Sequence, residues 1–137
     1  MLGAMLTMLI EGGTSIGPII VPDGPVRLRV LSSRTVKRGD TLPALRLQVC
    51  DVRGDPMELP EDATARVLIA RGGRAVVAAD AEITDPGSGV LQYAWRAGDL
   101  SAAGTHIVEV ELRDVEGGLL TAPSDGYAEL DVIADLG

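Results

Sequence analysis

Hydrophobic and polar residues alternate along most of this chain in short runs, and each run ends in residues that favour turns. The turns between residues 38 and 132 are Asp51-Val-Arg-Gly-Asp55, Arg71-Gly-Gly-Arg74, Asp85-Pro-Gly-Ser-Gly89, Asp114-Val-Glu-Gly-Gly118 and Pro123-Ser-Asp-Gly126. A period of two is typical of half-buried strands, and many short strands joined by tight turns are typical of a sandwich. The pattern therefore predicts an all-β, antiparallel β-sandwich.

The segments that carry the strand pattern are residues 26–30, 42–50, 63–70, 75–78, 81–84, 90–95, 105–112, 119–122 and 127–133. Residues 36–40 are predicted to turn the chain between the first two strands. In the second strand, Arg46 and Gln48 are predicted to face solvent, because they alternate with apolar residues. The predicted core positions include Leu45, Leu47, Val49, Leu91, Tyr93, Trp95, His106, Val108, Val110 and Leu112.

The composition limits the core and the partners of the protein. Phe is absent and there are one Trp and two Tyr, so the core has to be built from Val, Leu, Ile and Ala. The formal charge of −8 repels phosphate backbones and anionic lipids, which argues against nucleic acid and membrane partners. Cys50, the single cysteine, cannot form an internal disulfide and is predicted to be an ordinary strand residue.

The first 25 residues differ from the rest of the chain and are predicted to form an extended apolar arm, with the sandwich beginning at residue 26. The apolar run of this segment, residues 1–10, is far short of the roughly 20 residues of a membrane-spanning helix, and it has no basic region of the kind that begins a signal peptide. An apolar arm needs a surface to cover it, and a neighbouring subunit is the natural candidate. The predicted subunit-contact residues are Met1, Leu2, Met5, Leu6, Met8, Leu9, Ile10, Ile19, Ile20 and Val21.

Catalytic chemistry has little support in the sequence. The single histidine, His106, lies on an inward face, so a structural role is favoured over that of a general base. The acidic residues of the turns fit no Asp-x-Asp-x-Asp-Gly calcium loop, although calcium held between loops stays open. Tyr127 is the single outward candidate for stacking on a sugar. We therefore predict no catalytic residue, cofactor, metal or small-molecule substrate.

One family shows a similar arrangement of turns and strands. The matching residues are Gly39-Asp40-Thr41, Leu45 to Val49, Asp51-Val-Arg-Gly-Asp-Pro56, Ala65-Arg-Val-Leu-Ile69, Thr84-Asp-Pro-Gly-Ser-Gly-Val90, Tyr93, Trp95, Gly104-Thr-His-Ile-Val-Glu-Val-Glu-Leu112, Gly117 and Thr121-Ala-Pro123. Over roughly residues 38–134 the chain resembles the immunoglobulin-like domain of phage baseplate upper proteins. It departs from that family in having His106 where an aromatic residue usually follows Gly-Thr.

The resemblance implies an immunoglobulin-like sandwich of seven to nine strands in a structural protein of a tailed-phage virion. Such a protein is made in the bacterial cytoplasm and assembles with other virion proteins and with copies of itself, in the baseplate, tail or neck or as a decoration protein of the capsid. Two alternatives stay open. One is a secreted or surface immunoglobulin-like module that binds sugar or protein, and the other is a small hydrolase that uses His106.

Overall fold

A computed structural model describes residues 15–136 and shows an all-β protein. Its strands are β1 (Arg27–Val30), β2 (Thr35–Lys37), β3 (Leu45–Cys50), β4 (Thr64–Arg71), β5 (Arg74–Asp85), β6 (Val90–Tyr93), β7 (Gly104–Arg113), β8 (Leu119–Ala122) and β9 (Ala128–Ile133). A short 3-10 helix, Pro86–Ser88, connects β5 to β6. The described segment thus confirms the predicted fold class, all-β, with nine strands.

The strands form one curled, mixed sheet that is consistent with a β-sandwich. We call β1, β3, β6 and residues 82–85 of β5 the smaller layer, and residues 74–81 of β5 with β4, β7, β9 and β2 the larger layer. Strand β5 belongs to both layers, because its first part pairs with β4 and its last part with β6. Strands β8 and β9 pair with successive halves of β7.

The core lies between the two layers and consists mainly of aliphatic side chains. Leu47 and Leu91 from the smaller layer and Val67, Val110 and Leu130 from the larger layer are at most 1% exposed. The predicted inward residues of β3, β6 and β7 are all buried, as is Trp95 just after β6. The rings of Tyr93 and Trp95 pack edge to face, with centroids 5.5 Å apart.

Three details of the sequence prediction were wrong. Residues 75–78 and 81–84 are not separate strands but parts of β5, because the exposed Asp80 continues the strand. Residues 36–40 do not only turn, since Thr35–Lys37 forms β2, which pairs in parallel with β9. Gln48 is buried rather than exposed, because its amide binds partners on both sides.

The connection between β6 and β7 is fixed by a carboxylate. The hydroxyl of Tyr93 donates a 2.6 Å hydrogen bond to Oδ2 of Asp99, and the backbone N–H of Arg96 donates to the same oxygen. Burial and the hydrogen bond to Asp99 raise the pKa of Tyr93 to about 12. The neutral phenol is therefore the form that the fold stabilises.

Replacing this phenol should destabilise the protein in a pH-dependent way. We expect Tyr93→Phe to lower the free energy of unfolding by about 1–2 kcal/mol at neutral pH, because a charge-assisted hydrogen bond is lost. A folded-state pKa raised from 10.0 to about 12 gives stability that is present below pH 10 and is lost as the pH rises through 12. In urea unfolding, the difference between wild type and variant should narrow across that range.

The control for this change is Tyr127→Phe, which alters an exposed tyrosine whose hydroxyl has no hydrogen-bond partner among the described residues. It should leave the free energy of unfolding at neutral pH unchanged. Equal losses in the two variants would contradict the role assigned to the bond between Tyr93 and Asp99.

A close backbone approach at Gly89 joins the 3-10 helix to the smaller layer. Gly89 has a φ of 69°, and a Cβ atom there would lie 2.5 Å from the carbonyl oxygen of Met57 and 2.7 Å from that of Val49. The carbonyl of Gly89 also accepts the backbone N–H of Val49. Only glycine combines this conformation with the space that is available.

Two glycine variants separate backbone strain from the lack of space. We expect Gly89→Ala to lower the free energy of unfolding by about 3 kcal/mol, and Gly39→Ala by about 1 kcal/mol. Gly39 is the matched control, because it also has a positive φ, of 86°, but no atom lies within 4 Å of a Cβ built there. Urea unfolding of both variants gives the comparison, and equal losses would show that the contacts at Gly89 have no effect.

Candidate interaction surface

The described part of the predicted arm runs along the sandwich and bends at Gly17-Pro18 and at Asp23-Gly24. Its alternate residues are bound to the end of the molecule where β4 begins and β7 ends. The carbonyl of Ser15 accepts the N–H of Glu61, and the N–H of Gly17 donates to Oδ1 of Asp62 at 3.2 Å. The N–H of Ile19 donates to Oδ2 of Asp114 at 3.0 Å.

The residues between these attachment points face away from the sandwich. We call Ile16, Pro18, Ile20 and Val21 the N-terminal ridge. Ile16 is 63% exposed, Ile20 76% and Val21 52%, and Pro18 is also exposed. Single exposed apolar side chains are ordinary on a protein surface. Several of them side by side, on a segment whose backbone is bound to the fold, are typical of an interaction surface.

The two carboxylates that hold the segment are brought together by the register of the larger layer. Thr64 at the start of β4 pairs with Arg113 at the end of β7, so Asp62 and Asp114 lie at the same end of neighbouring strands. Asp114 is 8% exposed, and its carboxylate also accepts the N–H groups of Glu116 and Gly118. The N–H groups of Ile19, Gly118 and Glu116 together lower the pKa of Asp114.

A shallow, largely apolar groove runs beside the N-terminal ridge and has a volume of about 300 Å³. Its apolar walls contain Pro18, Ile20, Pro22, Pro56, Met57 and Pro60, and Ser15, Asp51 and Glu58 also line it. Prolines keep a fixed backbone angle and have no N–H to be left without a partner, so these walls present rigid apolar surface. Ridge and groove form one continuous candidate contact area.

The predicted contact residues have different positions in the molecule. Ile19 points inward and packs against the core, whereas Ile20 and Val21 are exposed as a contact role requires. The remaining predicted residues, Met1, Leu2, Met5, Leu6, Met8, Leu9 and Ile10, lie outside the described residues. Sequence reasoning missed Ile16, Pro18 and the groove prolines, although the spacing of Ile16, Pro18 and Ile20 is itself a strand-like signal.

The residues considered for chemistry have structural environments. His106 is 1% exposed, and its Nδ1 lies 2.9 Å from the carbonyl oxygen of Gly104, two residues before it. Cys50 is buried, and burial raises the pKa of its thiol. Oδ1 of Asp51 accepts the N–H groups of Arg53 and Asp55, which closes the turn after β3.

Within residues 15–136, no group of three or more His, Cys, Asp or Glu side chains is placed to hold a metal ion. That same part of the chain contains no helix with the length and apolar character needed to cross a membrane. Tyr127 is 68% exposed, as its outward position predicted. It lines a small hollow on the larger layer with Leu68, Ala70 and Ile107.

Comparisons with known proteins give little further information. No protein-family model matches the chain, and no curated protein matches it. Among solved structures, the chain is similar to an engineered protein of known crystal structure, with 20% sequence identity and a TM-score of 0.42. The similarity covers 85% of this chain and 21% of the engineered one, so this chain spans about a fifth of that length.

The attachment of the N-terminal segment to the sandwich should depend on the negative charge of Asp114, which accepts the N–H of Ile19. We expect Asp114→Asn to increase hydrogen exchange at the Ile19 amide and proteolysis within residues 15–25, because the charged acceptor is lost. The pKa of Asp114 is below its ordinary 3.8 in the folded state, so its stabilisation is present above pH 3.8 and is lost as the pH falls through the folded value. Exchange measured on both proteins at neutral and acidic pH tests this.

The matched control is Asp125→Asn, which removes the charge of an exposed carboxylate that makes no hydrogen bond to a described residue. It should leave the exchange of the Ile19 amide as in the wild type. If Asp114→Asn also left that amide protected at neutral pH, the carboxylate would not be what holds the segment.

Proposed function

We propose that the protein is a non-enzymatic structural component of a tailed-phage virion, assembled through its N-terminal segment and the surfaces of its sandwich. The observation that carries the proposal is the N-terminal ridge, whose apolar side chains face outward while its backbone is bound to the sandwich. An exposed apolar surface of this kind favours contact with another protein. The apolar residues Met1 to Ile10, which precede it in the sequence, extend the same chemical character.

The finer fold assignment within this proposal is an immunoglobulin-like sandwich. In immunoglobulin domains, strands A, B, E and D form one sheet, and strands C, F and G form the other, with C′ added in variable-type domains. In this protein β1, β3, β6 and residues 82–85 of β5 have the order of A, B, E and D. Strands β9, β7 and β4 with residues 74–81 of β5 have the order of G, F, C and C′.

The virion assignment rests on the sequence resemblance to the immunoglobulin-like domain of phage baseplate upper proteins. Its partners are other virion proteins and copies of the same chain, and its place is the baseplate, tail, neck or capsid surface. The protein would be made in the bacterial cytoplasm. The burial of His106, its contact with Gly104 and the raised pKa of Cys50 support a non-enzymatic role, because neither group is placed to react with a substrate.

Polar substitutions on the N-terminal ridge should block assembly without unfolding the protein. We expect the double variant Ile16→Asp and Ile20→Asp to keep the wild-type free energy of unfolding within about 0.5 kcal/mol, because both side chains are exposed. Its incorporation into phage particles should fall at least about tenfold, because two charges would be buried in an apolar contact. Quantitative mass spectrometry of purified particles measures the incorporation.

The matched control changes two exposed leucines away from the ridge, Leu42→Asp and Leu136→Asp, which are 80% and 100% exposed. This variant should be incorporated as well as the wild type. Normal incorporation of the ridge variant would refute the assembly surface. Absence of the wild-type protein from purified particles would refute the virion role altogether.

A further inference from the structure

A basic pocket opens at the edge of the smaller layer, although the chain as a whole is acidic. Arg27, Arg29, Arg34 and Arg53 line it together with the turn at Gly54, and its volume is about 270 Å³. Four of the twelve Lys and Arg side chains of the chain are thus gathered in one place, in a molecule with a formal charge of −8. Such a local reversal of charge favours an anionic partner.

One guanidinium of this basic pocket is held in position before any partner binds. Nη1 of Arg29 donates to Oε1 of Gln48 at 3.0 Å, and its Nη2 donates to the carbonyl oxygen of Gly54 at 2.8 Å. Gln48 is 9% exposed, and its Nε2 donates to the carbonyl oxygen of Ser88 at 3.0 Å. The buried amide therefore connects the 3-10 helix to Arg29 and reduces the entropy that binding would cost.

The charge of the pocket is not neutralised by the described residues around it. Arg27 and Arg34 form no ion pair within residues 15–136. Arg53 lies 3.9 Å from a carboxylate oxygen of Asp51 and of Asp55, and its side chain is 80% exposed. Exposed ion pairs at that distance contribute little binding free energy. The four guanidinium groups therefore keep most of their capacity to bind the carboxylates of a partner.

The larger layer carries a surface of the complementary kind. Its outer face presents Glu109, Glu111, Glu129 and Asp131, which lie on the neighbouring strands β7 and β9. Only Glu111 in this set has an ion pair with a described residue, Arg66 at 3.7 Å. Glu109 lines the apolar hollow that contains Leu68, Ile107 and Tyr127, and Glu129 pairs with Ile107 across β7 and β9. An apolar centre with a polar rim is the usual anatomy of a protein interface.

We infer that the basic pocket of one copy binds the acidic outer face of the larger layer of a second copy. The occupant is a second copy because the same chain presents both partners, with arginines on the smaller layer and, on the larger layer, Glu109 and Glu129, which form no ion pair with a described residue. The forked donors of arginine match the two oxygens of a carboxylate. The exposed Val52, which lines the pocket with the arginines, supplies apolar area opposite Ile107 and Tyr127.

The two surfaces belong to different layers, so each copy can use both of them at once. The contact is therefore head to tail, and repeated contacts would join copies into a ring or a row. Local attraction between the faces has to exceed the repulsion between two acidic proteins, which makes the association sensitive to salt. This inference gives a contact for the self-assembly in the proposed function, but it involves none of the N-terminal ridge residues.

Charge reversal of each face tests the contact with purified full-length protein. Variant one carries Arg27→Glu and Arg34→Glu, and variant two carries Glu109→Arg and Glu129→Arg. By sedimentation velocity, wild type should associate at about 0.01 M salt and dissociate at about 1 M, where the Debye length falls from roughly 30 Å to 3 Å. Each variant alone should be monomeric at low salt, and their mixture should form complexes, because each retains one natural face.

The control variant carries Arg74→Glu and Arg96→Glu, which make the same change in net charge as variant one at exposed positions outside the pocket. It should associate like the wild type. Monomeric wild type at low salt, or a mixture of the two variants that stays monomeric, would overturn the inference. Neither result bears on the incorporation of ridge variants into particles, so failure here is distinguishable from failure of the proposed function.

Discussion

The constraint on which the structure depends is the double pairing of β5. One continuous strand is hydrogen-bonded to β4 in its first part and to β6 in its last part, so the two layers cannot slide or separate independently. The space between them is filled by aliphatic side chains from both layers, such as Leu47 and Val110. Since no Phe is available, the larger rings are limited to Tyr93 and Trp95, near the end of β6.

The candidate surfaces are consequences of that framework. The antiparallel register of β4 and β7 places Asp62 and Asp114 at one end, where they bind the backbone of Gly17 and Ile19. While the N–H groups of Gly17 and Ile19 are bound to these carboxylates, the side chains of Ile16 and Ile20 are exposed. The ridge is thus produced by two carboxylates and a strand register, and not by the hydrophobicity of its residues alone.

The alternation of apolar and polar residues was enough to predict the all-β fold class and the inward apolar residues of β3, β6 and β7. It was not enough where pairing is decided by distant residues. Nothing local in Thr35–Lys37 indicates a parallel partner in β9, and nothing local in Gln48 indicates that Ser88 and Arg29 will satisfy its amide. The prediction of a contact role for Ile20 and Val21 came from their hydrophobicity, and both side chains are exposed. The inward position of Ile19 was not predicted, because a shift of one residue exchanges the two faces of a strand.

The two candidate surfaces share a physical property that composition does not express, since each is partly held in place by hydrogen bonds before it meets a partner. Ordering a free backbone segment costs about 1–2 kcal/mol per residue, and the hydrogen bonds of Ser15, Gly17 and Ile19 have met that cost during folding. The hydrogen bonds of Arg29 to Gln48 and Gly54 likewise order one long side chain during folding. Because little further order has to be imposed, even contacts of modest area can give useful affinity when many copies act together. Such preorganisation is what a small structural subunit needs if it presents a fixed geometry to its neighbours.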